Sequence, residues 1–386
     1  MNKPSYDGNG ILNLTSSIVS ARGGKTNYKN LKLLPSSKIK NSKNIVLLLI
    51  DGLGYDFLMK NGKNTIFNEN LKGKMTSTFP SSTSAAMSTL MTAVPPIEHG
   101  MTGWHMYLNE YGVQIISLPY QLKISGKKPM PFSEITNMNK LFNFKSIFNK
   151  VKTKSYLIQL KKITNSDATI AQSGNAKRFA FNNIGGCLKL IKKIIKSNNQ
   201  KKFIFAYYPD HDSMAHDKGI KNKEVLNHFK KLDKKITSLV KSLKGTDTTL
   251  IITADHGHID TKHILLENHP KLKETLRMPL CGETRFPYCY IKPEKEKQFK
   301  NYIKTKMKKY CTLHKPEDFI KQGFFGPLKK IHPKFKDRIG DYILIMKENY
   351  ALYEKLPNQK EYHFHKSDHG GLSDQELYVP LIVINN

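Results

Sequence analysis

Seven side chains suited to cation and phosphoryl chemistry lie scattered along the chain: Asp51, Thr83, Asp212, His216, Asp255, His256 and His369. Divalent cations of hard or borderline character take carboxylates and neutral imidazoles, provided these converge from several elements. Asp51 follows the apolar run Ile45-Val46-Leu47-Leu48-Leu49-Ile50 and precedes Gly52. Asp255-His256-Gly257 closes a second run, 249–254, while Asp210, Asp212 and His216 follow a third, 203–208. Asp212 and His216 are four apart, on one face of a helical turn, and can hold one ion together. Asp255 and His256 are neighbours, so in a turn their side chains address two positions. His369 begins a Gly-rich turn, 369–371, in which the backbone can bend to aim it.

Each residue also has a plainer reading. A lone Asp before Gly is usually a turn residue, and Asp51 taken alone reads that way. The joint pattern differs, because turn chemistry does not place Asp or His at the end of every core strand. Asp210 and His365 compete with Asp212 and His369, but only Asp212 stands in D-x-x-x-H spacing with His216. His99, in Glu98-His99-Gly100, reads as structural. His258, His263, His363 and His365 are near neighbours of the stronger candidates and stay outside the ligand set.

The elements that must position these groups follow from periodicity. Short unbroken apolar runs bounded by Gly or polar residues predict strands buried on both faces, as in parallel sheets. Chemistry in such sheets collects at the carboxyl ends of the strands. Helical spacing is clear over 183–197 and strongest over 224–243, which links the 203–208 and 249–254 strands in a βαβ unit. A helix of small residues is expected from about Thr83 to Thr92, after Pro80 and a Ser81-Ser82 cluster. Its first turn offers unpaired N–H groups to a phosphoryl oxygen. Taken alone, Thr83 reads as a cap. Residues 1–43 predict an irregular lead-in that packs on the domain, and 105–150 a long excursion over the active rim. Residues 44–270 and 360–386 form the expected α/β core. Between them, 271–359 read as an inserted α+β cap with strands at 286–291 and 342–346 and a Lys/Glu helix at 294–309.

The 386 residues leave room for one large α/β domain plus that insertion. A net charge of +32 is carried by 63 basic residues of which only five are Arg, spread along the whole chain. Nucleic-acid binders favour Arg and concentrate charge on one face, so a Lys-covered solvated surface is the expectation. No specific nucleic-acid partner is expected; the field would still attract small anionic substrates. Cys187, Cys281, Cys289 and Cys311 carry no CxxC spacing and no framework density, and read as buried or free thiols in a reducing compartment. The opening Met1-Asn2-Lys3-Pro4-Ser5 has no apolar leader, and no run approaches the ~20 residues of a membrane span. A cytoplasmic, soluble protein is expected.

In this order, Asp51-Gly52, the helix start at Thr83, Asp212-x-x-x-His216, Asp255-His256-Gly257 and His369-Gly370 resemble the alkaline phosphatase superfamily. Within it, the type I phosphodiesterase/nucleotide pyrophosphatase branch is the most similar. The resemblance covers residues 44–384 and implies an alkaline-phosphatase-like α/β fold: a mostly parallel sheet sandwiched by helices. It also implies two divalent ions, zinc in that branch. Asp212, His216 and His369 would hold one; Asp51, Asp255 and His256 the other, with Thr83 facing it as nucleophile and ligand. Thr83 lies nine residues before Thr92, as the nucleophile does in the family, and Thr78, directly before Phe79-Pro80, is the second candidate. The activity implied is hydrolysis of a small phosphate ester, of the phosphodiester or nucleotide pyrophosphate type. Nucleotide pyrophosphatases carry an asparagine twenty-one residues past the nucleophile to hold a phosphoryl oxygen; here that position is Trp104. A phosphomonoesterase or a phosphonate hydrolase of the same superfamily is the alternative.

Overall fold

Strand Asn44–Ile50 is buried at all seven positions. Its Ile, Val and Leu side chains are covered on both faces, and each buried one contributes roughly 2 kcal/mol relative to exposure. Parallel neighbours flank it, Lys202–Tyr208 on one side and Thr248–Thr253 on the other. The register pairs Ile50 with Tyr208 and Leu49 with Thr253, so Asp51, Pro209 and Asp255 leave the sheet at one rim. The computed structural model describes residues 2–123, 130–142, 144–356 and 364–386.

The full sheet has seven strands in the order Leu71–Thr76, Tyr378–Asn385, Thr248–Thr253, Asn44–Ile50, Lys202–Tyr208, Lys154–Leu160 and Lys177–Phe181. Tyr378–Asn385 runs antiparallel to both its neighbours, and all the other pairings are parallel. Helices cover the sheet and share its apolar core, the expected mostly parallel α/β architecture. Lys223–Ser242 buries Val225, Phe229, Leu232, Ile236 and Leu239 at three- and four-residue spacing. The side chain of its N-cap, Asn222, accepts from the Glu224 N–H.

The lead-in is not irregular. Residues Ile11–Ala21 form a helix that packs on the Thr83–Thr92 helix. Its buried face mixes Ile11, Leu14 and Ile18 with Asn13, Thr15 and Ser17, which hides the apolar period. Local bonds satisfy those polar groups: Thr15 donates to Ile11 O (3.2 Å), and Ser17 Oγ accepts from the Leu31 N–H (2.8 Å).

A second, wholly antiparallel sheet stands beside the first, in the order Cys311–His314, Tyr342–Met346, Phe286–Cys289, Cys281–Glu283, His105–Leu108, Val113–Ile116 and Gln121–Leu122. The expected insertion supplies four of these strands. The other three come from the stretch read as an excursion, whose strands are too short to stand out before their partners are known. The Lys/Glu helix starts as a single 3₁₀ turn, is α-helical over Glu296–Tyr302 and widens into a π turn over Ile303–Met307. Phe79 inserts into the core of this second sheet, edge-on to Phe286 at 4.1 Å, which ties the loop before Thr83 to it. All four cysteines are buried and free. Among the described residues no helix is long and apolar enough to cross a membrane.

Candidate metal centre

Asp51, Asp212, His216, Asp255, His256 and His369 meet in one place, at the carboxyl rim of the parallel sheet. Potential ligand atoms of Asp51, Asp255 and His256 lie within 4.8 Å of one another, as do those of Asp212, His256 and His369. Two glycines make the rim possible. Gly257 follows His256, and a Cβ there would sit 2.0 Å from Gln375 O. Gly52 turns the chain after Asp51 with φ +72, which an L side chain resists.

The first group is wholly buried. Asp255 Oδ1 accepts from the N–H groups of Gly52 (3.2 Å) and His256 (3.1 Å), and Asp51 Oδ2 accepts from Tyr207 OH. Their other oxygens, Asp51 Oδ1 and Asp255 Oδ2, are buried with no hydrogen-bond donor. Both face His256 Nε2, at 3.3 and 3.5 Å. That ring donates from Nδ1 to Gly257 O (3.1 Å), which leaves the Nε2 lone pair inward. Burial, then Asp255 and Asp212, push the Asp51 carboxyl well above its ordinary range, and burial raises Asp255 too. Burial also pushes His256 down to about 3. Two orphaned carboxylate oxygens and an inward lone pair, in a pocket that resists uncompensated negative charge, are a donor set that fits a divalent cation.

Asp212 and His216 occupy the helix Asp210–Lys218, with His216 Nε2 3.2 Å from Asp212 Oδ1. His369 Nε2 lies 3.8 Å from the same oxygen. The outer nitrogens are tied back: His216 Nδ1 to Ser367 O at 2.8 Å, His369 Nδ1 to Ser81 O at 3.0 Å. Such contacts fix the tautomer that presents Nε2 to a metal. Burial by itself raises Asp212, but His216 and His258 beside it hold its carboxyl well below the usual range. Burial lowers His216, yet Asp212 outweighs this and raises it to about 9. His369 is held well below its ordinary value by burial and by His256 and His216.

Thr83 opens the helix Thr83–Thr92, whose N-cap is Ser82. Its Oγ1 is 3.0 Å from His256 Nε2, at the edge of the first group. Thr78 lies apart, its hydroxyl donating to Pro80 O at 2.9 Å. His99 is buried between Thr89 Oγ1 (3.1 Å) and the Met101 N–H (3.1 Å), a structural histidine as expected. Asp210 lies outside the cluster, His365 rests on the outer side of His216 with ring centroids 4.0 Å apart, and His363 falls outside the described residues.

Four further residues line the cluster: His258, expected only as a neighbour of the ligand set, and Tyr207, Asp368 and Glu283, which no sequence expectation singled out. His258 is buried within the cluster, its Nε2 2.8 Å from Asp212 Oδ1. Its place two residues after His256 was the available signal. Tyr207 holds Asp51 from the end of a neighbouring strand. Asp368 lies beside His369, accepting from Thr284 and, at 3.1 Å, from Tyr353. Glu283 reaches in from the second sheet, where its Oε1 accepts from Ser82 Oγ and from the Trp104 N–H (2.7 Å). Burial raises Glu283 to about 8. No local pattern marks Tyr207 or Glu283, because tertiary pairing alone brings them to the rim.

The same architecture recurs in solved structures. Murine ectonucleotide pyrophosphatase/phosphodiesterase 5, solved in an inactive form with AMP, superposes with a TM-score of 0.65 at 16% identity over 87% of each chain. The human counterpart gives 0.63 at 17% identity, covering 88% of this chain and 87% of that one. Phosphonoacetate hydrolase from Sinorhizobium meliloti, in complex with phosphonoacetate, gives 0.64 at 14% identity, covering 88% of this chain and 89% of that one. No curated protein sequence matches the chain. The profile of the type I phosphodiesterase/nucleotide pyrophosphatase family matches residues 45–372. With that match over most of its length, the chain belongs to the type I phosphodiesterase/nucleotide pyrophosphatase family.

Proposed function

We propose that this protein hydrolyses phosphodiester bonds of the nucleotide pyrophosphate type through a covalent phospho-threonine at Thr83. The observation that carries the reading is the Thr83 hydroxyl 3.0 Å from His256 Nε2, beside the orphaned oxygens of Asp51 and Asp255. Asp51, Asp255 and His256, with Thr83, would hold one zinc ion, and Asp212, His216 and His369 a second. When bound, the pair supplies positive charge for the attacking and leaving oxygens of an in-line displacement. Thr83 Oγ1 forms a bond to phosphorus as the bond from phosphorus to the leaving oxygen breaks; the leaving group, an alkoxide from an ester or a phosphate from a pyrophosphate, departs with the electron pair, the Thr83 hydroxyl proton passes to solvent, and an alkoxide takes up a proton from water. Backbone N–H groups at the start of the Thr83–Thr92 helix face the phosphoryl oxygens. Water then attacks phosphorus, the P–Oγ bond breaks, and Thr83 regains its hydrogen. Two displacements retain configuration at phosphorus.

Replacing Thr83 with Ala tests this directly. Turnover is expected to fall by more than about a thousandfold, a loss typical of a deleted nucleophile, while the metal content stays at two ions because Asp51, Asp255 and His256 still hold the ion that Thr83 would face. A variant that still turns over at the wild-type rate would remove Thr83 from the chemistry. A second reading, a phosphonate hydrolase or phosphomonoesterase, draws on Trp104 and its bond to Glu283, where the family's asparagine would stand. Rates on bis-p-nitrophenyl phosphate, p-nitrophenyl phosphate and phosphonoacetate separate the readings.

A further inference from the structure

Three imidazoles, not two, converge on one carboxylate oxygen. His258 Nε2 lies 2.8 Å from Asp212 Oδ1, nearer than His216 Nε2 at 3.2 Å or His369 Nε2 at 3.8 Å. The His258 side chain has no exposed surface. Its ring stands edge-on to those of His216 and His369, at 4.9 and 5.3 Å between centroids. The outer nitrogen is tied back as in the other two, Nδ1 lying 3.0 Å from Ser367 Oγ. Ser367 thus serves two rings of the cluster: its carbonyl meets His216 Nδ1 and its hydroxyl meets His258 Nδ1. The turn after Asp51 is shaped around the ring as well. A Cβ on Gly52 would meet His258 at 2.7 Å, so the residue following one candidate ligand leaves room for this histidine.

We infer that His258 is a fourth protein ligand of the site formed by Asp212, His216 and His369. The inference rests on the two-cation reading above and deepens it. Its physical content is an asymmetry between the two sites. Three protein ligands leave a zinc ion one open position, whereas four satisfy its tetrahedral preference. The Asp212 site would then bind its ion more tightly and exchange it more slowly than the Asp51 site, and a substrate oxygen could join it only by raising the coordination number. The competing role for His258 is a hydrogen bond, with Nε2–H donating to Asp212 Oδ1 and Nδ1 accepting from Ser367 Oγ.

The full chain, loaded with zinc or with cobalt(II), distinguishes the two roles without an activity assay. In the wild type, X-ray absorption at the zinc edge is expected to count four imidazoles shared over two ions; a count of three overturns the assignment. His258→Ala is expected to keep one ion at wild-type affinity and to lose the other beyond the ~10–100-fold that contacts outside the ligand set carry. Its cobalt(II) visible spectrum should change in the band of one site only. His258→Gln keeps an N–H donor near the Nε2 position, so it should bind metal as weakly as the alanine variant. Wild-type affinity in the glutamine variant, or an unchanged cobalt spectrum in the alanine variant, overturns the assignment and leaves the two-cation reading standing. A wild-type protein that takes up no divalent metal overturns both.

Discussion

His256 and His369, more than a hundred residues apart in the chain, stack face to face with ring centroids 3.5 Å apart and planes inclined by 15°. Each ring belongs to a different candidate site, so the stack is the wall the two sites share. Both rings are held neutral by burial and by surrounding imidazoles, which lets them pack without repulsion and keeps their lone pairs available. The pair therefore joins the two candidate ligand groups.

Metal uptake should release protons. In the metal-free pocket Asp212 outweighs burial and raises His216 to about 9, so near neutral pH that imidazole holds a proton that a cation must expel. Apparent zinc affinity is expected to rise with pH between about 6 and 9, the interval below that raised imidazole value. Calorimetry in buffers of different ionisation enthalpy measures the protons released; none released would contradict this charge state.

Tyr207→Phe removes the hydroxyl that donates to Asp51 Oδ2 and leaves the ring in place. Contacts that orient a metal ligand are worth about 10–100-fold in metal affinity or activity. A loss in that range is expected, with thermal stability close to wild type. An equilibrium dialysis measurement that finds unchanged affinity would show that Asp51 is held without Tyr207.

Glu376→Gln should destabilise the fold and loosen the His369 turn. Glu376 is buried and bonded to Arg285 at 3.0 and 2.9 Å, to the Gly371 N–H at 2.8 Å and to Ser373 Oγ at 2.6 Å. Removing one partner of a buried pair strands the other charge, at a cost of about 3–5 kcal/mol. Urea unfolding at neutral pH reads the loss, and a change under ~1 kcal/mol would mean that Arg285 finds other partners.

Acid sensitivity should arise in part from His99. Burial, then His332, push it down to about 3, while in the unfolded chain it titrates near the ordinary 6.5. Between those values the unfolded state binds one more proton than the folded state. The stability His99 contributes is thus fully present above about 6.5 and falls by about 1.4 kcal/mol per pH unit as pH drops toward 3. His99→Gln should be less stable at neutral pH yet show a shallower decline below pH 6. Unfolding midpoints across that range give the slope, and parallel wild-type and variant slopes would exclude His99.

Local patterns in the sequence determined the parallel strands and the groups at their tips. Apolar runs such as 45–50 can only be buried, and a buried strand must end where polar residues return, so adjacency places Asp51 and Asp255 at strand tips. Asp212 and His216 are legible for a different reason, because helix geometry makes four-residue spacing a contact. Ile11–Ala21 is not, since buried Asn, Thr and Ser with bonded polar groups resemble a surface loop in one dimension. Only the tertiary structure decided what surrounds the strand tips. Tyr207, His258 and Glu283 reach the rim through strand register, a glycine turn and a sheet assembled from two distant segments. The pairings of Tyr207 and Glu283 are non-local, and no spacing in the chain records them.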